Sequence, residues 1–314
     1  MVRKIKYYIV DVFTNEHFGG NQLAVIPDAT HIDESVFQKI AKEFNFSETT
    51  FVLPPENPAN DFKLRIFTPN IEIPTAGHPT IGTSFVLLSH EQVIPVNENK
   101  LVLEELVGDI EVFFTEKDSG FHNITMKQPL PKYGDIYKDI ETMAKILGIE
   151  SEKIRNDIPM QAISCGNNFL FVPLTDQSAM QHIKINTALL DEHKENLPST
   201  EIYVFTFDTT IEDSTTHGRM FAPLFGIHED AATGSASGPL GCYLVKHDLH
   251  NGNDIICEQG FEMGRPSYID VNILHSNKVI LEVKVGGNSI LSSKGELHIG
   301  PESKSFVSTV LNKI

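Results

Sequence analysis

The chain has 314 residues and carries 42 acidic against 25 basic side chains, a formal net charge of −17. That excess of anions argues against nucleic acid and an anionic membrane surface as partners, because both are met by basic patches. No apolar run approaches the ~20 residues of a bilayer-spanning helix, and Cys165, Cys242 and Cys257 form no CxxC pair, so a soluble protein of a reducing, cytoplasmic compartment is expected.

The opening MVRKIKYYIVDVF has a basic lead, but Asp11 interrupts its apolar stretch and it reads as a strand, not a signal peptide. An amphipathic helix is predicted over Asp33–Phe44, with Val36, Phe37, Ile40, Ala41 and Phe44 on one stripe. Alternating segments ETTFVLP, KLRIFT, IEVFFT and HNITMKQ follow as strands. Between them a helix is predicted from His78-Pro79 through Leu88, with proline in its first turn. Ile136–Leu147, closed by Gly148, reads as a second amphipathic helix, and EIYVFTFD and IDVNILH as further strands. A last helix starts near Ser235 and runs through Leu244. It and the helix after His78 are apolar nearly all round, so each is expected at the centre of a wrapping of strands.

The chain also repeats itself. LRIFTPNIEIPTAGHPTIG from Leu64 and GRMFAPLFGIHEDAATGSASG from Gly218 both run Arg-apolar-Phe-x-Pro, an irregular link, then a small residue, glycine and an apolar run. LVLEELVGDIEVFF from Leu101 is paired with VILEVKVGGNSILS from Val279, each as strand, Val-Gly turn and strand; SETTFVLPP from Ser47 is paired more weakly with GNNFLFVPL from Gly166. Two similar domains are therefore expected, residues 1–127 and 128–299, with the segment from about 300 to 314 packing back on the first.

A pseudo-twofold would aim the starts of both apolar helices into one cleft, where their unpaired amides and dipoles favour an anion. Gly77-His78 and Gly234-Ser235 would line it, unless these glycines serve only tight helix packing. Three residues are candidates for proton handling around such a site. Glu48, in FNFSETTF among Phe44, Phe46 and Phe51, is either an acid/base in apolar company, which raises a carboxyl pKa, or an ordinary solvent-facing strand residue. His78 is a general acid/base, an oxyanion donor or a capping histidine. Asp230 orients a partner, binds a substrate amine or caps the following helix. The scattered histidines show no HExxH or Cys/His ligand spacing, so no metal is expected. HEDAATGSASG lacks the P-loop lysine, no GxGxxG follows a strand, and the duplicated strand-rich layout does not suit a serine hydrolase. Cys242, on the apolar helix, reads as core.

VDVFTNEHFGGNQLAVI (Val10–Ile26), EFNFSETTFV (Glu43–Val52), IFTPNIEIPTAGHPTIGT (Ile66–Thr83), EDAATGSASGPLGCYL (Glu229–Leu244) and EQGFEMGRPS (Glu258–Ser267) resemble, in order, the phenazine-biosynthesis-like (PhzF-type) isomerase family. The resemblance implies an α+β fold like diaminopimelate epimerase: two mostly antiparallel β-barrels, each around a central helix, with an interdomain cleft. It implies a homodimer, no cofactor, and a small carboxylate substrate on which one glutamate moves a carbon-bound proton. Matched by motif, Glu48 is the catalytic glutamate, and His78, Asp230 and Ser235 are its supporting residues. Ser47, Gly77, Gly234 and Asn21 fall on substrate-binding positions. Epimerases of this fold use two opposed cysteines, and Ala76 and Thr233 stand at those places here, which disfavours two-thiol racemisation. Gln22 stands where the family often has proline, the stretch Ile183–Thr200 lengthens the second half, and Arg265 is read as a structural turn or dimer residue. The rival expectation is a non-catalytic small-carboxylate binding or interaction protein that kept the pocket.

Overall fold

The computed structural model describes residues 3–117 and 120–300, and in it the alternating segments form strands. The first half runs β1 (Arg3–Val12), β2 (Asn21–Ile26), α1 (Phe37–Phe44), β3 (Glu48–Leu53), β4 (Phe62–Phe67), β5 (Glu72–Ile73), α2 (Gly77–Ser89), β6 (Lys100–Glu105), β7 (Gly108–Lys117) and β8 (Gly120–Gln128). The second runs β9 (Lys132–Tyr137), α3 (Ile140–Leu147), β10 (Met160–Ser164), β11 (Asn168–Pro173), α4 (Gln177–Gln181), α5 (Thr187–His193) and β12 (Ile202–Thr206). It continues with β13 (Thr216–Ala222), β14 (Ile227–Asp230), α6 (Gly234–Lys246), β15 (Asp254–Gln259), β16 (Ser267–Ser276), β17 (Val279–Gly287) and β18 (Ser289–Ile299). The architecture is mixed α+β, dominated by strands. Among the described residues no helix is long and apolar enough to cross a membrane.

Strand pairing repeats between the halves. In the first, β1 lies antiparallel to β2, β2 parallel to β3, β3 antiparallel to β4, β4 parallel to β6, and β6, β7 and β8 follow antiparallel. In the second, β10, β11, β12, β13, β15, β16 and β17 repeat that sequence of antiparallel and parallel neighbours. Each series gains one outer antiparallel strand, β18 on β1 and β9 on β10, and β8 joins β17 to make one continuous ladder.

This pairing corrects two of the three sequence matches. The Arg65 and Arg219 stretches are true counterparts, β4 and β13. The β6–β7 hairpin, however, corresponds to β15 and β16, and not to 279–292, where the anticipated Val-Gly turn is absent. Gly286 and Gly287 continue β17, and the chain then crosses at Asn288 to β18, which pairs with β1. The stretch from Gly166 forms β11, whose place matches β2, whereas β3 matches β12. The boundary expected at 127/128 falls on the last residue of β8, and residues 301–314 lie outside the described residues.

A side chain caps α3 directly and, for α1, the short 3-10 turn Glu34–Val36 that leads into it. Asp33 accepts from the Ser35 amide ahead of α1, and left-handed Asn45 ends that helix. The predicted Ile136–Leu147 helix starts late: Lys132–Tyr137 is β9, and Asp139 caps α3 by accepting from the Thr142 amide at 2.9 Å. α1 covers an outer cluster with Phe37, Phe51 and Phe67, and α3, α4 and α5 cover the corresponding face of the second half through Leu147, Met180 and Leu190. The stretch 183–200 is thus an outer layer on β11 and β12. α2 and α6 share the central core with the inner faces of both series. α2 approaches β1 and β2 closely: a methyl group at Gly82 would lie 2.6 Å from Val12 Cγ2.

Candidate active site

The two central helices differ at their starts from the peripheral helices of the second half. Asp139, Asp176 and Asn186 place side-chain caps on α3, α4 and α5, whereas Ala76 and Thr233 give α2 and α6 no side-chain cap. Thr80 N reaches Ala76 O and Ala236 N reaches Thr233 O, so the amides of Gly77, His78, Gly234 and Ser235 precede the helical ladders. None of the four donates to a protein acceptor among the described residues. The two starts meet, since a Cβ built on Gly77 would sit 3.6 Å from the Ser235 amide nitrogen. That is ordinary contact, so packing does not demand glycine at 77. At Gly234 the same addition would press to 2.9 Å from the Phe13 ring. Packing therefore accounts for Gly234 and leaves Gly77 unexplained.

Beside these amides the structure gathers Glu48, His78, Asp230 and Asn21. Glu48 Oε2 lies 3.0 Å from His78 Nε2, with both side chains buried. Their approach is too oblique for a well-formed hydrogen bond, and neither atom has another partner among the described residues. Glu48 is therefore not a solvent-facing strand residue, although the phenylalanines named around it do not bury it. Phe51 packs outward on Phe37, and Phe44 and Phe46 stack on each other. Glu48 shares the opposite face of β3 with Thr50, whose hydroxyl lies 2.8 Å from that of Thr83 on α2. Burial works against charge on His78, but Glu48, Asp230 and a backbone bond to Gln22 outweigh it and raise its pKa above the usual value.

Asp230 reaches the group from the second half. Asn21 Nδ2 donates to its Oδ1 at 2.7 Å and the Thr233 hydroxyl to its Oδ2 at 2.7 Å. It caps no amide of α6. Burial pushes its carboxyl up to about 6, opposed by His78 and these two donors. Ser235 is partly buried in the first turn of α6, and Ser47 stands on the exposed turn before β3, outside the buried network. The cysteines are buried and free, none of them at a helix start.

Sequence reasoning missed Gln259. Fully buried, it accepts from the Thr233 amide at 3.2 Å and donates to Asp230 O at 2.7 Å and to Thr233 Oγ1 at 2.9 Å. The Thr233 hydroxyl, receiving from Gln259, is thereby directed to donate to Asp230. Gln128 Nε2 donates to Gly234 O at 2.9 Å from the other side. The signal was present in EQG, a motif read only for Arg265. That arginine is a turn residue: it donates to Asp11 Oδ1 at 2.7 Å and to the carbonyls of Gly19 and Gly20, fixing the loop that delivers Asn21.

Behind Gln259, His217 is clamped by Glu258 at 2.7 Å and Glu262 at 3.0 Å. Burial alone would lower its pKa, but the two glutamates raise it to about 9. A raised histidine stabilises fully below its unfolded value near 6.5 and loses that contribution as pH climbs through the folded value. Urea denaturation of the wild type should therefore show stability falling between about pH 6.5 and 9, by on the order of 3 kcal/mol. His217→Gln should flatten that limb; an unchanged limb would refute the assignment.

The family model described as phenazine biosynthesis-like protein matches residues 10–295. Trans-2,3-dihydro-3-hydroxyanthranilate isomerase of Pseudomonas chlororaphis is 33% identical over 292 residues, covering 93% of this chain and 98% of its own. An uncharacterised isomerase of Clostridium acetobutylicum is 31% identical over 303 residues, 95% of this chain and 99% of its own. The crystal structure of a Bacillus anthracis phenazine biosynthesis protein of the PhzF family superposes with a TM-score of 0.85 at 27% identity, covering 94% of this chain and 99% of that one. Full-length matches of this kind place the chain, with its buried Glu48–His78 pair beside two open helix starts, in the phenazine biosynthesis-like family as an isomerase.

Proposed function

We propose that the protein is a cofactor-independent isomerase that moves a carbon-bound proton on a small cyclic or amino carboxylic acid, with Glu48 as acid and base. The observation that carries this is the buried Glu48–His78 pair, 3.0 Å apart, beside four amides without protein acceptors among the described residues. The substrate carboxylate docks on the amides of Gly77, His78, Gly234 and Ser235. Their fixed dipoles stabilise negative charge as it spreads onto that carboxylate when the proton leaves. Glu48 takes the proton and returns it to another carbon on the same face. His78, its pKa raised by the carboxylates around it, orients Glu48, and Asp230 accepts from a substrate amine or hydroxyl. The repeated strand order supports two barrel-like units, residues 1–127 and 128–299, around this cleft, and the active species of the proposal is a cytoplasmic homodimer.

The test is incubation in deuterated water without added cofactor, beginning with trans-2,3-dihydro-3-hydroxyanthranilate and extending to other cyclic and amino carboxylic acids. Loss of a carbon-bound proton signal in the NMR spectrum is expected with at least one of them. Complete absence of exchange across the panel would overturn the reading.

A further inference from the structure

The repeat supplies Gln259 with a counterpart. In the parallel pairing of β4 with β6, Phe62 faces Leu103 and Lys63 faces Glu104; in that of β13 with β15, Thr216 faces Cys257, His217 faces Glu258 and Gly218 faces Gln259. On this register Glu104 matches Glu258, and their contacts agree. Glu104 accepts from the amides of Glu56 and Asn57, and Glu258 from those of Thr210 and Ile211. Thr80 likewise matches Ser237, each hydroxyl donating back to the residue before its helix, Ala76 O at 2.7 Å and Thr233 O at 3.0 Å. The next residue along β6 is Glu105, in the place of Gln259. It is 7% exposed, lies against Thr80, and leaves Oε2 without a partner among the described residues.

The proton count at Thr80 favours a neutral carboxyl. Its hydroxyl oxygen makes close contacts both with Ala76 O and with Glu105 Oε1. Two contacts between oxygens need two protons, and threonine supplies one. A protonated Glu105 would supply the other, whereas an ionised one would compete with Ala76 O for the single threonine proton. A carboxylic acid has the planar shape of the carboxamide that occupies the equivalent place in the second half and, like it, pairs a donor atom with an acceptor, with one hydrogen to donate where Gln259 donates two. The polar groups facing it are the hydroxyls of Thr75 and Thr80; Glu104 turns to the loop at 56–60 and Lys63, Asp109 sits across the hairpin from Glu104, and His78 on α2 engages Glu48.

We propose that Glu105 is a positioning residue kept as a neutral acid: it supports the start of α2 as Gln259 supports the start of α6, and its ionisation weakens anion binding at Gly77-His78. The second part rests on the carboxylate docking proposed above. Burial, opposed only by the two threonine hydroxyls, pushes the carboxyl up to about 7, so the ionised form becomes populated just above neutrality. A negative charge would then lie beneath a helix start that recruits anions. A raised acid also makes stability fall as pH rises from its ordinary value to its folded one, and level off above it.

The experiment compares wild type with Glu105→Gln. In protein labelled with 13C at the glutamate carboxyls, the resonance missing from Glu105→Gln is expected to titrate near 7, with thermal stability falling from pH 5 to 7 in wild type more than in the variant. Titration below about 5 would overturn the proposal, as would a Glu105→Gln protein that fails to fold at pH 6 while Glu105→Asp folds. Benzoate serves as the anion probe. Between pH 6 and 8 its affinity should drop roughly tenfold more in wild type than in Glu105→Gln, because His78 and Asp230 titrate in both. Equal losses would refute the effect on binding. Benzoate bound by neither protein would refute carboxylate docking, while the carbon titration would still decide the state of Glu105.

Discussion

Glu48→Gln should lower the rate of carbon–hydrogen exchange by roughly 10²–10⁴-fold, the usual contribution of a positioned general base, while the thermal midpoint stays close to wild type. The amide preserves the shape of the side chain on the buried face of β3, so neither the Thr50–Thr83 contact nor the core below it is disturbed. What disappears is the carboxylate 3.0 Å from His78 Nε2. His78 then loses the nearest of the charges that hold its pKa above the usual value, and its titration should move down. Glu48→Asp gives a second reading, since drawing the carboxyl back by about one bond should still cost on the order of 10²-fold if proton transfer depends on placement. The checks are exchange rates on the substrate found in deuterated water and a histidine NMR titration. Wild-type exchange in Glu48→Gln would end the case for this glutamate, whatever the titration shows.

The parts of this site that were legible in the sequence are those that local rules govern. An apolar helix opening on a glycine is visible as AGHPTIG and TGSASG, and the Arg-apolar-Phe-x-Pro lead fixed which helices correspond; that Thr233 leaves α6 without a side-chain cap was not visible, since threonine is a usual cap. Long-range consequences were less legible. Any alternating strand resembles any other, because a period of two carries no register, so the stretches beginning at Ser47 and Leu101 were matched to the wrong partners. Two valines and two glycines at 283–287 look like a hairpin turn, yet they continue β17 because β8 lies alongside to pair with them. The phenylalanines around Glu48 suggested the right environment for a wrong reason, since alternate residues of β3 face opposite layers. Glu105 and Gln259 were missed because nothing local distinguishes a buried Glx at a strand end from an exposed one. Only the pairing of β4 with β6 and of β13 with β15 sets them under the two helix starts.

The same correspondence makes Arg219→Leu the most damaging single change away from the chemistry. Arg219 donates through Nε to Glu229 Oε1 at 2.7 Å and through a terminal nitrogen to Glu229 Oε2 at 2.8 Å, donates also to Met180 O, and lies over the Phe221 ring. Its counterpart Arg65 repeats the two-pronged grip on Glu72 beside Phe67 and adds an ion pair with Glu34. The environments differ. The Arg219 side chain is 8% exposed against 17% for Arg65, and Glu229 16% against 24% for Glu72. Removing one partner of a buried pair leaves an uncompensated charge, which destabilises by about 3–5 kcal/mol, whereas water can reach more of Glu72 when Arg65 is lost. Denaturant titrations should therefore rank Arg219→Leu well below Arg65→Leu in stability. Glu229→Gln added to Arg219→Leu should recover part of the loss, because it removes the stranded carboxylate. The consequence reaches the site through β14, where Glu229 precedes Asp230: once the arginine is gone, the strand that delivers Asp230 to Asn21 and Thr233 keeps the bond from Gln259 and its short pairing with β13 but loses its grip through Glu229. Arg219→Leu should thus lose exchange activity even at temperatures where it remains folded, and retention of full activity there would show that Asp230 is placed without it.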